Sequence, residues 1–112
     1  MTFKTKHCSY DNCRFIPGLY ENGNLALCVF DEEGLVFTCT VNPGFRLPDT
    51  AIAVKDYSEN EGMVDALTEQ GIIGRELRRV PSGFVTIPVH ELTAKGRELF
   101  AEAAKHKDED GE

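Results

Sequence analysis

The chain contains no tryptophan, so its seven Phe and three Tyr must supply the large aromatic pieces of any core. No run approaches the roughly 20 apolar residues that cross a bilayer as a helix, and no membrane association is expected. The opening residues MTFKTKHCSY carry two lysines but no apolar stretch of the signal-peptide kind. A cytoplasmic setting is the expectation. Positive charge is scarce, with 12 Lys and Arg against 19 Asp and Glu and a formal net charge of −7. Gripping a phosphate backbone needs a basic face, so direct nucleic-acid binding is not expected. Neither G-x-x-x-x-G-K-[ST] nor G-x-G-x-x-G occurs, so no nucleotide cradle and no cofactor is indicated.

What is present suits one globular domain. The 112 residues are 41% hydrophobic, enough for a single core and too few for two. The first half reads as strands. Arg14 to Tyr20 and Leu25 to Phe30 flank Asn22-Gly23, a strong signal for a two-residue type I′ hairpin. Pro17 and Gly18 mark the first of these strands as an edge or a bulged element. After the turn Asp31 to Gly34, residues Leu35, Phe37, Cys39 and Val41 alternate with Val36, Thr38 and Thr40, the period of a half-buried strand. Thr50 to Val54 forms a short fourth strand.

The stretch VKDYSENEGMVDAL begins at Val54. Ser58 followed by Glu61 matches a capping box, and Met63, Val64 and Leu67 form an apolar stripe. Gly71 stands where a helix would stop. These signals predict a helix over Glu59 to Gln70. A closing hairpin follows across Pro81-Ser82-Gly83, with Val85, Ile87 and Val89 on its buried face. Thr93 caps a C-terminal helix striped by Leu99, Phe100, Ala103 and Ala104, with Gly96 as a weak point of up to about 1 kcal/mol. The fold class predicted is α+β. One domain over 1–107 holds an antiparallel, meander-like sheet of four to six strands, a central helix on one face and a C-terminal helix. Residues 108–112 form a disordered acidic tail.

The four cysteines read as free thiols. Cys8 and Cys13 are five positions apart and Cys28 and Cys39 eleven, whereas structural zinc pairs sit two to four apart. His7, Cys8 and Cys13 are the nearest approach to a metal nucleus, and no metal site is predicted. No glycine-rich turn presents a nucleophile, so no catalytic residue is assigned. Glu59, Glu61 and nearby acids suit a helix N-terminus. Asp56, Tyr57 and Asn60 remain as a loop trio without an evident folding role. Arg75, Arg78 and Arg79 form the densest positive cluster, and arginine suits bidentate contacts to a partner's carboxylate or phosphate.

Three stretches, LYENGNLALCVFDEEG, VKDYSENEGMVDAL and GRELRRVPSGFVTIPVHEL, resemble a family of small uncharacterised bacterial proteins. That family is a domain of unknown function carried on plasmids and conjugative elements of gut bacteria. The resemblance spans Tyr20 to Leu92. It rests on Tyr20, Asn22 and Gly23, then Asp56, Asn60 and Glu61, then Arg79, Ser82 and Gly83. It implies a setting and no chemistry.

The function expected is a non-enzymatic accessory protein of a mobile genetic element, acting by protein–protein interaction as a monomer or homodimer. Its candidate partner-binding residues are Asp56, Tyr57, Asn60, Arg75, Arg78 and Arg79. Two alternatives stand beside it: an acidic anti-defence protein mimicking DNA, and a small-molecule-binding domain or enzyme with a pocket between sheet and helix.

Overall fold

A computed structural model describes the backbone of residues 1–110 and the side chains of residues 1–102. The chain opens with a two-stranded ribbon of β1 (Phe3–Lys4) and β2 (Ser9–Tyr10). A meander follows, made of β3 (Arg14–Leu19), β4 (Leu25–Asp31) and β5 (Gly34–Thr38). The third sheet orders β6 (Ala51–Ala53), β8 (Val85–Leu92) and β7 (Ile73–Ser82), all antiparallel. Helices α1 (Met63–Glu69) and α2 (Ala94–Asp110) complete an α+β single domain. Its strands, eight among the described residues, are divided among three sheets.

The two larger sheets are stitched together just past β5. The N–H of Cys39 bonds Leu27, while Lys55 N–H bonds the Cys39 carbonyl and Val41 N–H bonds Ala53. Residues 39–41 thus serve both sheets, with Thr40 paired to Val54.

Strand periodicity then sorts the core. In β6, Ile52 faces a main core with Phe3, Leu27, Val29 and Phe37, while Ala51 and Ala53 face a smaller one with Val80, Ile87 and Val89. Successive strand residues point to opposite faces, so Pro88 and His90 of β8 turn toward the α1 side.

Pro17 lies on an edge strand, as its type dictates. The first hairpin forms, but its turn is not type I′, because Asn22 is not in the left-handed region and Gly23 alone is, at φ +89°. The turn closes with Gly23 N–H on the Tyr20 carbonyl at 2.9 Å. Leu35 is corrected from the buried to the outer face, 58% exposed. An irregularity in the β4–β5 register pairs Phe30 with Leu35 and Val29 with Phe37, which shifts the side-chain alternation between the two residues.

The predicted helix over Glu59 to Gln70 is shorter, seven residues from Met63. Ser58 lies in the left-handed region at φ 57°, where it cannot take the extended geometry of a capping residue. A 3-10 turn occupies Ser58–Asn60 instead. Gly62, at φ +95°, starts α1. Glu61 turns away to Lys6 at 2.7 Å and His7 at 3.2 Å, so no capping box forms. An isolated helix this short is unstable. Met63 and Leu67, both fully buried, hold it in place by about 1.5–3 kcal/mol each.

The helix stop at Gly71 is as predicted. Gly71 N–H bonds Thr68 and Ile72 N–H bonds Leu67, the paired bonds of a Schellman ending. Thr93 caps α2 through Gly96 N–H at 3.0 Å. Gly96 is more than a weak point, because a Cβ there would collide with the Ile72 carbonyl oxygen. Phe100 joins the main core and Leu99 packs against it. Ala103, Ala104 and the tail predicted over 108–112 lie outside the residues whose side chains are described.

Candidate functional site

Helix α1 is about 10 Å long and roofs only part of the sheet face that carries Thr86, Pro88 and His90. The strip it leaves bare is a half-open cleft of about 530 Å³. Pro88 and His90, both buried, are its floor. Asp56, Val64 and Asp65 form the helix-side wall; Glu76 and Arg79 of β7 form the other.

Of the residues predicted to bind a partner, the structure brings Asp56 and Arg79 together here. Asp56 also has a folding role that sequence reasoning missed. Its Oδ1 accepts the Gly62 N–H and its Oδ2 the Val64 N–H, both at 2.9 Å. It caps α1 from outside, since Gly62 has no side chain to do so. Asn60 is likewise structural: it is 2% exposed and donates through Nδ2 to the Thr38 carbonyl at 2.7 Å. Of that trio only Tyr57 lacks a side-chain hydrogen bond, its ring lying 5.8 Å from the Lys55 ammonium.

The three arginines share the edge strand β7 but not one patch. Arg75 faces Glu91 at 3.7 Å, Arg78 lies 5.0 Å over the Phe45 ring, and Arg79 forms an ion pair with Glu76 at 3.0 Å. Irregularities in the β7–β8 register between Ile73 and Arg78 rotate them apart.

His90 is the residue that gives the cleft its character. Its side chain is 8% exposed, and its Nδ1 lies 2.9 Å from the Gly74 carbonyl oxygen. A carbonyl only accepts, so Nδ1 carries the proton, and in the neutral ring Nε2 has a bare lone pair. Nε2 is 4.0 Å from Glu76 Oε1, beyond hydrogen-bond distance. One signal could have marked this set: Thr86 and His90 alternate with Ile87 and Val89, a second polar face on a strand whose other face is core.

The remaining candidates are placed elsewhere. No cysteine lines the cleft, and burial pushes the Cys39 thiol well up from its ordinary range, which leaves it inert as a nucleophile. Among the described residues no cluster of three His, Cys, Asp or Glu is arranged to hold a metal ion. No described helix is long and apolar enough to cross a membrane. A second hollow of about 440 Å³ lies between β1 and α1, beyond Asp65, with Lys4 and Glu69 on its rim. Its Thr5 hydroxyl is the one buried side-chain polar atom without a partner among the described residues. No protein-family model, curated protein or solved structure matches the chain.

Proposed function

We propose that the protein is a non-enzymatic binding module, an accessory protein of a mobile genetic element, that docks a partner protein at the cleft between α1 and β8. The observation that carries this reading is the meeting of Asp56 and Arg79, two segments distant in sequence, around one polar hollow. The cleft suits binding better than covalent chemistry. Thr86 is the only hydroxyl among its lining residues, and Glu76 is already neutralised by Arg79. Its volume falls within the range of ligand sites, and its open side admits a side chain from another molecule. The resemblance to plasmid-borne proteins supplies the setting.

The test is capture of a partner from a plasmid-bearing host by tagged wild-type protein and by charge-reversed variants. Asp65→Lys and Glu76→Lys should both lose a partner that Glu32→Lys, in the remote β4–β5 turn, retains. Equal recovery with all three variants would sink the docking reading.

A further inference from the structure

We infer that the cleft receives the guanidinium group of an arginine side chain carried by the docked partner, an inference that rests on the docking reading. Its basis is the inventory of hydrogen-bonding atoms. Asp56 has used one acceptor position on each oxygen for the helix cap. Asp65 makes no ion pair among the described residues. Glu76 holds Arg79 through Oε1, which leaves Oε2 uncommitted. His90, nine-tenths buried and with Nδ1 committed to Gly74, offers Nε2 as a further acceptor from the floor. The open positions on the floor and on both walls therefore accept, while the remaining donors belong to Thr86 and to Arg79 at the rim.

The charges agree with the hydrogen bonds. Three carboxylates stand against one arginine, so the cleft is negative by two with His90 neutral. A guest that only donates and is positive satisfies both requirements. Lysine and arginine meet them in outline, but the acceptors lie on opposite walls across a buried imidazole. A planar fork of five N–H donors can engage both walls at once, whereas an ammonium is a point charge. The net charge of −7 would also draw a basic partner surface inward.

The experiment uses the full chain, isotopically labelled for NMR. The probes are a capped Gly-Arg-Gly tripeptide, its Gly-Lys-Gly counterpart and agmatine. The arginine tripeptide is expected to move the His90 ring and Asp65 signals with a Kd of about 1 mM, and the lysine tripeptide to bind about tenfold more weakly. Asp65→Asn, an exposed change that breaks no hydrogen bond or ion pair among the described residues, should weaken arginine binding by a similar factor while leaving the circular dichroism unchanged.

Equal binding of the two tripeptides, or none, would overturn the guanidinium assignment. Agmatine binding far tighter than the arginine tripeptide would overturn the partner-borne source in favour of a free small molecule. The two readings fail separately. If Asp65→Lys loses the captured partner but arginine does not bind, docking stands and the guanidinium assignment falls. If arginine binds but the charge-reversed variants keep the partner, the docking reading falls.

Discussion

Asp56 accepts the backbone N–H of Val64 at 2.9 Å across eight residues of chain. Its other oxygen holds Gly62, so one carboxylate satisfies two donors at the start of α1. Removing it should cost what a lost helix cap costs. Asp56→Ala is expected to lower stability by about 1–2 kcal/mol in urea denaturation followed by circular dichroism. Asp56→Asn keeps one accepting oxygen and should lose about half as much. An unchanged midpoint for the alanine variant would show that the cap is not worth its geometry.

Gly96 and Gly18 should respond to alanine with opposite outcomes. At Gly96 the gain in helix propensity, about 1 kcal/mol, is opposed by the Ile72 carbonyl oxygen, which is backbone and cannot swing aside. Gly96→Ala is therefore expected to destabilise by about 2 kcal/mol net. A Cβ added at Gly18 would meet nothing within 4 Å, and the backbone there lies outside the left-handed region. Gly18→Ala should stay within about 0.5 kcal/mol of wild type. Thermal unfolding of the pair checks both.

Asn24 is 1% exposed and ties the 42–47 loop to the β3–β5 meander. Its Nδ2 donates to the Phe45 carbonyl at 2.8 Å and its Oδ1 accepts the Leu47 N–H at 2.7 Å. Truncation orphans both backbone groups. Asn24→Ala is expected to lose about 2–3 kcal/mol, with faster amide exchange at Leu47 as the local readout. Slow exchange at Leu47 in that variant would contradict the assignment.

The Glu59 carboxyl is held down to about 2, chiefly by its hydrogen bond from Lys55 and then by backbone and Ser58 contacts. A folded value below the unfolded one means that the pair favours the fold at neutral pH. That contribution persists above the unfolded carboxylate range and fades as pH falls toward 2. Glu59 is exposed, so the effect on stability is small. Side-chain NMR titration should give a midpoint near 2 for Glu59 in wild type. In Lys55→Met that midpoint should move up toward the ordinary carboxylate range. A wild-type midpoint already in the ordinary range would refute the pairing.

Features carried by adjacent residues were legible in the sequence. Gly71, Thr93 and Pro17 each do locally what their types dictate: stop a helix, cap one and mark an edge. The helix start departs from its local pattern, because Gly62, Asp56 and Lys6 override the capping box that Ser58 and Glu61 spell out. Leu35 departs from its alternating run because nothing in such a run announces a change of register. A pocket between sheet and helix was among the readings of the sequence, but the residues that line it were out of reach for the same reason on a larger scale. It needs Glu76 and Arg79 aligned with Thr86 and His90 by an irregular register, and α1 laid beside them. Asp56 and Arg79 each stand out in the sequence, but their adjacency is a product of folding.

The stitching of the two sheets by residues 39–41 also sets an order of assembly. Strands β3, β4 and β5 pair with near neighbours and can close soon after they leave the ribosome. Strand β6 meets Val41 early through Ala53, but within its sheet it pairs only with β8, so that sheet closes once the last hairpin has been made. The cleft floor is part of β8, so the face proposed for docking forms only once that hairpin is in place. A partner that recognises it would discriminate finished molecules from nascent ones.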